Sequence, residues 1–205
     1  MLNEAITGGF EVFKKRFGTL FLAWLLYSIL TFLPTFLVSR YETAAYGENA
    51  LPVYSNLVSA LVSSILLGGF LYVYLQASRG NPVHATEVLS FPLYFWKYLL
   101  AGTIYTLIIS LGLLLLLIPG IFLAVRLGFW PYAIADGRGV LESLSYSWNL
   151  TKGHFWSLLG LYLLAVVIIL IGVLLLVIGV IPATILVYAM TAQYYVLLQK
   201  ARPSP

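Results

Sequence analysis

The chain has 205 residues, 61% of them hydrophobic and 9% charged, with a net charge of +4. A soluble domain carries about 25% charged residues, so this one has more apolar surface than it can bury in its own core, and the solvent left for it is lipid. With no cysteine it has no disulfide framework, thiol nucleophile or cysteine-held metal, and its eleven Lys and Arg residues are too dispersed for a nucleic-acid surface.

In chain order, Leu2, Ile6, Phe10, Phe13 and Phe17 recur at helical spacing and predict a short amphipathic helix. Glu4 and Glu11 precede the basic run Lys14-Lys15-Arg16, an order that argues against a cleavable leader. Six apolar runs approach the ~20 residues that a spanning helix needs. They are 17–38, 55–76, 97–118, 120–135, 155–179 and 182–199. The connection 39–54 is expected to be the sizeable external loop. In the second span Ala60, Ser64 and Gly68, with Gly69 beside them, form a face of small residues; Gly102, Thr106 and Ser110 do so in the third. Both faces are expected to meet other helices.

Pro119-Gly120 and Pro182 read as connectors, since proline starts a helix well and interrupts one badly. The fourth span is the shortest, and either crosses fully or enters and returns. Leu141, Leu144, Trp148 and Phe155 predict a second amphipathic helix. Tyr94, Trp96, Tyr98, Trp130, Tyr132, Trp156, Tyr194 and Tyr195 fall near span ends, as in an aromatic belt.

The stretch "EAITGGFEVFKKRFGTL" from Glu4 aligns without a gap to "ESLSYSWNLTKGHFWSL" from Glu142, and a shorter copy, "EVLSFPLYFWKYLL", starts at Glu87. The expected fold is therefore all-α: a polytopic membrane helical bundle of six transmembrane helices in three hairpins, each preceded by a short cytoplasmic amphipathic helix. It forms one membrane domain, 1–205, of three units, 1–80, 81–137 and 138–205. Lys14, Lys15, Arg16, Arg79, Lys97, Arg138, Lys152, Lys200 and Arg202 fall on one side of the spans and Arg40 on the other, which puts both termini in the cytoplasm and the chain in the cell membrane.

Arg126 is the unusual residue, a permanent cation inside the fourth span, about 9 Å from its outer end at 1.5 Å per residue. All seven carboxylates fall at or outside the span boundaries, so the sequence points to an anion supplied from outside the chain. Setting Pro119 against Pro182 brings Tyr188 to within one residue of its level, and counting from span ends adds Thr31, Ser63 and Ser110. These five residues form the candidate ligand site, for the phosphate or carboxylate of a lipid or other anionic amphiphile in the outer leaflet. Two other readings stay open: the side chain snorkels to the headgroups, or it caps carbonyls freed around Pro131. His84 and His154 lie in separate units, so no metal site is expected, and no cofactor or catalytic motif is present. The expected role is non-enzymatic lipid binding or transport. The alternative is a membrane scaffold whose cytoplasmic helices hold a protein partner or a second copy.

The stretch "IPGIFLAVRLGFWPYAIAD", followed by "ESLSYSWNLTKGHFWSLLG", resembles a widespread group of prokaryotic six-span membrane proteins that includes the membrane domain attached to some bacterial glycerophosphodiester phosphodiesterases. The proline-glycine pair, the arginine seven residues after that proline, Asp136 and the stretch from Ser147 to Gly153 carry the likeness, over roughly residues 84–200. The resemblance implies a polytopic membrane module without chemistry of its own, because in the fused proteins a separate domain performs the hydrolysis. No residue role is transferred by it.

Overall fold

The computed structural model describes residues 1–47, 51–90, 94–175 and 179–201. Glu48 of the external connection, residues 91–93 of the short third copy, residues 176–178 of the fifth run and Arg202 lie outside the described residues. All regular structure among the described residues is helical: α1 (Leu2–Tyr46), α2 (Val53–Ser78), a 3-10 turn (Ala85–Leu89), α3 (Phe95–Leu115), α4 (Leu117–Leu127), α5 (Trp130–Ala135), α6 (Val140–Leu150), α7 (Phe155–Leu174) and α8 (Val180–Ala201). Six stretches are long and apolar enough to cross a membrane, with α4 and α5 together making the fourth. The protein is an all-α, multi-pass membrane bundle.

The N-terminal amphipathic segment is continuous with the first span, and α1 bends at Arg16, whose φ of −127° and ψ of 20° leave the helical region. The Arg16 guanidinium donates to the carbonyls of Gly80 (2.9 Å) and Asn81, just beyond the end of α2. The external connection is shorter than its composition suggests. Helix α1 runs to Tyr46 and α2 starts at Val53, so most of 39–54 is helical. The reason is Glu42, buried at 4% exposure, whose carboxylate accepts the N–H groups of Tyr54 and Ser55 (3.1 Å) and thereby caps the first turn of α2.

Neither proline connector is a connector. Pro119 and Pro182 are each the third residue of their helix, in the first turn, where a missing N–H costs nothing. Leu116 alone separates α3 from α4. What allows so tight a reversal is glycine: a Cβ on Gly112 would stand 3.0 Å from the Gly120 Cα, and one on Gly172 would stand 2.7 Å from the Gly179 oxygen where α7 meets α8. Among its described residues the short third copy starts in the 3-10 turn and ends in the first turns of α3, and Gly69 of α2 sits directly against the carbonyls of Glu87 and Val88 in the 3-10 turn.

Several residues assigned to an aromatic belt are in the core. Tyr194 and Tyr195 have no exposed surface, and Tyr98, Trp130 and Tyr132 are buried, whereas Trp156, Trp96 and Tyr94 are exposed. The difference follows from α6, which packs along α5, α4 and α3 and covers the end of the bundle where those rings lie. Tyr132 stacks with Tyr195 beneath it, Phe129 is tilted against that ring, and Tyr146 of α6 meets it edge-on.

Candidate functional site

The fourth span is discontinuous. Helix α4 stops at Leu127, α5 begins at Trp130 with Pro131 in its first turn, and Gly128 and Phe129 lie between. Backbone polar groups freed inside an apolar span must find partners within the protein. Ser147 of α6 supplies one: its hydroxyl accepts the Phe129 N–H (3.1 Å) and donates to the Arg126 carbonyl (3.0 Å). Thr151 places a second hydroxyl 3.0 Å from that carbonyl, and both side chains have no exposed surface.

Beside the break lies a cavity of about 370 Å³. Leu67 and Leu71 of α2 face it from one side, Gly128, Pro131 and Tyr132 from the break, Tyr162 and Ile169 from α7, and Thr184, Val187, Tyr188 and Thr191 from α8. The walls are mainly hydrocarbon, with a few hydroxyls set among them. The Thr184 and Thr191 hydroxyls donate to carbonyls of their own helix, Ile181 (2.9 Å) and Val187 (2.8 Å), which leaves their lone pairs as acceptors. Tyr188 is held edge-on to Phe70, with ring centroids 4.9 Å apart, and Tyr74 lies 5.5 Å away. A second cavity, again about 370 Å³, lies on the α3–α4 side and is lined by Tyr105, Ile121, Ala124, Val125 and Leu159. Gly128 and Tyr162 belong to both cavities, and the Tyr162 hydroxyl rests so closely on Gly128 that a Cβ there would collide with it.

Of the five residues singled out from sequence, Tyr188 lines the first cavity. Arg126 is buried at 5% exposure, with its guanidinium 4.4 Å from the Trp148 ring centroid and 5.9 Å from that of Phe122. This is a cation–π arrangement on the α6 side of the span. Ser63 donates to the Ala60 carbonyl (3.2 Å) and lines a separate groove of about 380 Å³ with Ser64, Gly102 and Thr106. Thr31 donates to the Tyr27 carbonyl within α1 (2.8 Å), and Ser110 lies exposed on α3.

Sequence reasoning did not find the polar cluster around Asp136. Its carboxylate takes both Arg79 guanidinium nitrogens (2.8 and 2.9 Å), the Tyr195 hydroxyl (3.0 Å) and the Gln199 amide (2.8 Å). The pair is largely buried, with the Asp136 side chain 16% and that of Arg79 28% exposed, and it ties the end of α2 to the α5–α6 turn and the end of α8. The signal in the sequence was the pairing of Asp136 with Gly137, whose φ of 92° makes the turn that presents the carboxylate. Among the described residues no group of three His, Cys, Asp or Glu could hold a metal ion.

A family model described as a domain of unknown function (DUF7847) matches residues 17–201. A UPF0259 membrane protein of Photorhabdus laumondii is 35% identical over 98 residues, 46% of this chain and 38% of that relative. One of Sodalis glossinidius is 37% identical over 97 residues, 45% of this chain and 38% of the relative. One of Yersinia pestis is 34% identical over 93 residues, 43% and 36% respectively. The alignments thus span less than two fifths of these relatives' own length. No solved structure matches.

Proposed function

The chain belongs to the family described as a domain of unknown function (DUF7847), and from that premise we propose a non-enzymatic role: holding an amphiphile, with its acyl part in the cavity beside Tyr188. The observation that carries this reading is the cavity's position against a broken span. Irregular backbone at membrane depth is stable where it is buried in protein or lines a cavity. Hydrocarbon walls suit an acyl chain, the Tyr188 hydroxyl can donate to an ester, and the Thr184 and Thr191 oxygens can accept from a hydroxyl of an amphiphile's polar part. Arg126, two residues ahead of Gly128, adds positive charge to the same break and favours an anionic amphiphile. The excess of Lys and Arg on one side of the spans supports a cell-membrane orientation with both termini cytoplasmic.

The test is the lipid that travels with the protein. Native mass spectrometry of the full chain in mild detergent should show a retained amphiphile. Leu71→Trp, which fills the cavity, should lower its retention by about tenfold, the equivalent of 1.4 kcal/mol of binding, without a change of fold. Equal retention by both proteins overturns the reading. A scaffold role has one observation in its favour, the exposure of Leu141 at the start of α6 and of Trp156 at the start of α7. A partner or second copy docked there would survive Leu71→Trp and be lost with Leu141→Ser.

A further inference from the structure

A different cavity lies at the basic end of the bundle. It measures about 370 Å³, within the range of small-molecule sites, and forms where the N-terminal segment of α1 crosses the ends of α2 and α8. Unlike the Tyr188 cavity it is lined largely by polar groups. Lys15 and Arg16 bring positive charge, and Glu11, paired with Lys15 at 3.5 Å, brings negative charge. From the floor come Ser78 and Gln193. The Ser78 hydroxyl oxygen and the Gln193 side-chain oxygen are both buried, and neither finds a hydrogen-bond partner among the described residues. Buried polar groups are nearly always satisfied, so two orphans in one cavity mark a place built for a ligand that bonds to them.

The mixture of groups defines that ligand. An anion alone would face the Glu11 carboxylate and the Gln193 carbonyl oxygen, which can only accept. A cation alone would face Lys15 and Arg16. We propose that the cleft holds a zwitterionic phosphate–ammonium head, the phosphate toward Lys15, Arg16 and the Ser78 hydroxyl, and a primary ammonium toward Gln193 and Glu11. The ammonium must carry N–H groups, because the Gln193 oxygen needs a donor; a trimethylated nitrogen has none to give. The chemistry is therefore that of an ethanolamine-phosphate head and not that of a choline head.

The experiment uses the full chain, stripped of lipid in detergent and titrated with dioctanoyl phosphatidylethanolamine, phosphatidylcholine or phosphatidylglycerol, with native mass spectrometry as the readout. Phosphatidylethanolamine should be retained about tenfold over phosphatidylcholine, the scale of one charge-assisted hydrogen bond. Gln193→Leu should erase this preference. Ser78→Ala, a milder change, should weaken the ethanolamine lipid while leaving thermal unfolding unaltered. Soluble phosphoethanolamine separates the sources: competition at equal concentration assigns a free solute, and its failure to compete assigns a lipid. Equal retention of the three lipids, a preference for phosphatidylglycerol, or an undiminished preference in both variants overturns the proposal. Leu71→Trp should leave the ethanolamine preference in place, so this site and the Tyr188 cavity fail independently.

Discussion

Ser147 shows how a single side chain can hold a span that its own sequence interrupts. Its hydroxyl is fully buried and bonded on both sides, to the Phe129 N–H and the Arg126 carbonyl. Ser147→Ala leaves the Phe129 N–H unsatisfied in an apolar setting, the Arg126 carbonyl keeping the Thr151 hydroxyl, and should cost about 1–3 kcal/mol, read as a lower unfolding temperature in detergent. Glu142 acts in the same segment by charge. The Gly139 N–H (3.2 Å) and then the Arg138 guanidinium (2.8 Å) hold its carboxyl below the usual carboxylate value. Its folded value lies below its unfolded one, so the support it gives α6 is complete above the ordinary carboxylate range and is lost as pH falls through the folded value. The protection of amides 140–143 relative to their intrinsic exchange rates should therefore fall as pH drops through the carboxylate range, and Glu142→Gln should flatten that response. Neither role was legible in the sequence. Ser147 figured only as the start of the stretch that carries the family likeness, without a role, because its partners lie 18 and 21 residues away.

At the scale of elements, glycine decides where helices meet. Gly69→Ala would drive a methyl group into the Glu87 and Val88 carbonyls, which are backbone and cannot step aside. It should destabilise the protein by about 1–3 kcal/mol, the usual cost of overpacking. Gly128→Ala instead meets the tip of the Tyr162 side chain, which can swing away. That variant should keep its stability to within about 1 kcal/mol and alter the lipid retained by the Tyr188 cavity; a large loss of stability would count against a movable Tyr162. The six spans were readable because an apolar run of about 20 residues has one structural solution in a membrane. The small-residue face holding Gly69 was also readable, but its partner was not: a 3-10 turn, not a helix, fills that space. Pro131 marked the neighbourhood of the break, but its place at Gly128 was hidden because the residues around it stay apolar, so composition does not mark where hydrogen bonding stops.

Across the whole molecule, Asp136 and Arg79 join three parts of the chain at the basic end. Asp136→Asn leaves a largely buried guanidinium short of its counter-charge and should cost about 1–3 kcal/mol, less than for a fully buried pair, as measured by denaturant or thermal unfolding. In the sequence Arg79 served to orient the spans and Asp136 to carry the family likeness, since a charge count along the chain says nothing of which charges meet. The orientation itself can be checked on a chain free of native cysteine: Asn3→Cys and Leu51→Cys should react with an impermeant maleimide from opposite faces of the membrane, Asn3→Cys from the cytoplasm. The stitch at Ser147 has a mechanical corollary. It fastens α6, which lies outside the spans, to the backbone on both sides of Gly128, and Gly128 is a wall of two cavities. A displacement of α6 along the bundle would be transmitted to that wall, so a touch at the surface and the volume available inside are two readings of one lever.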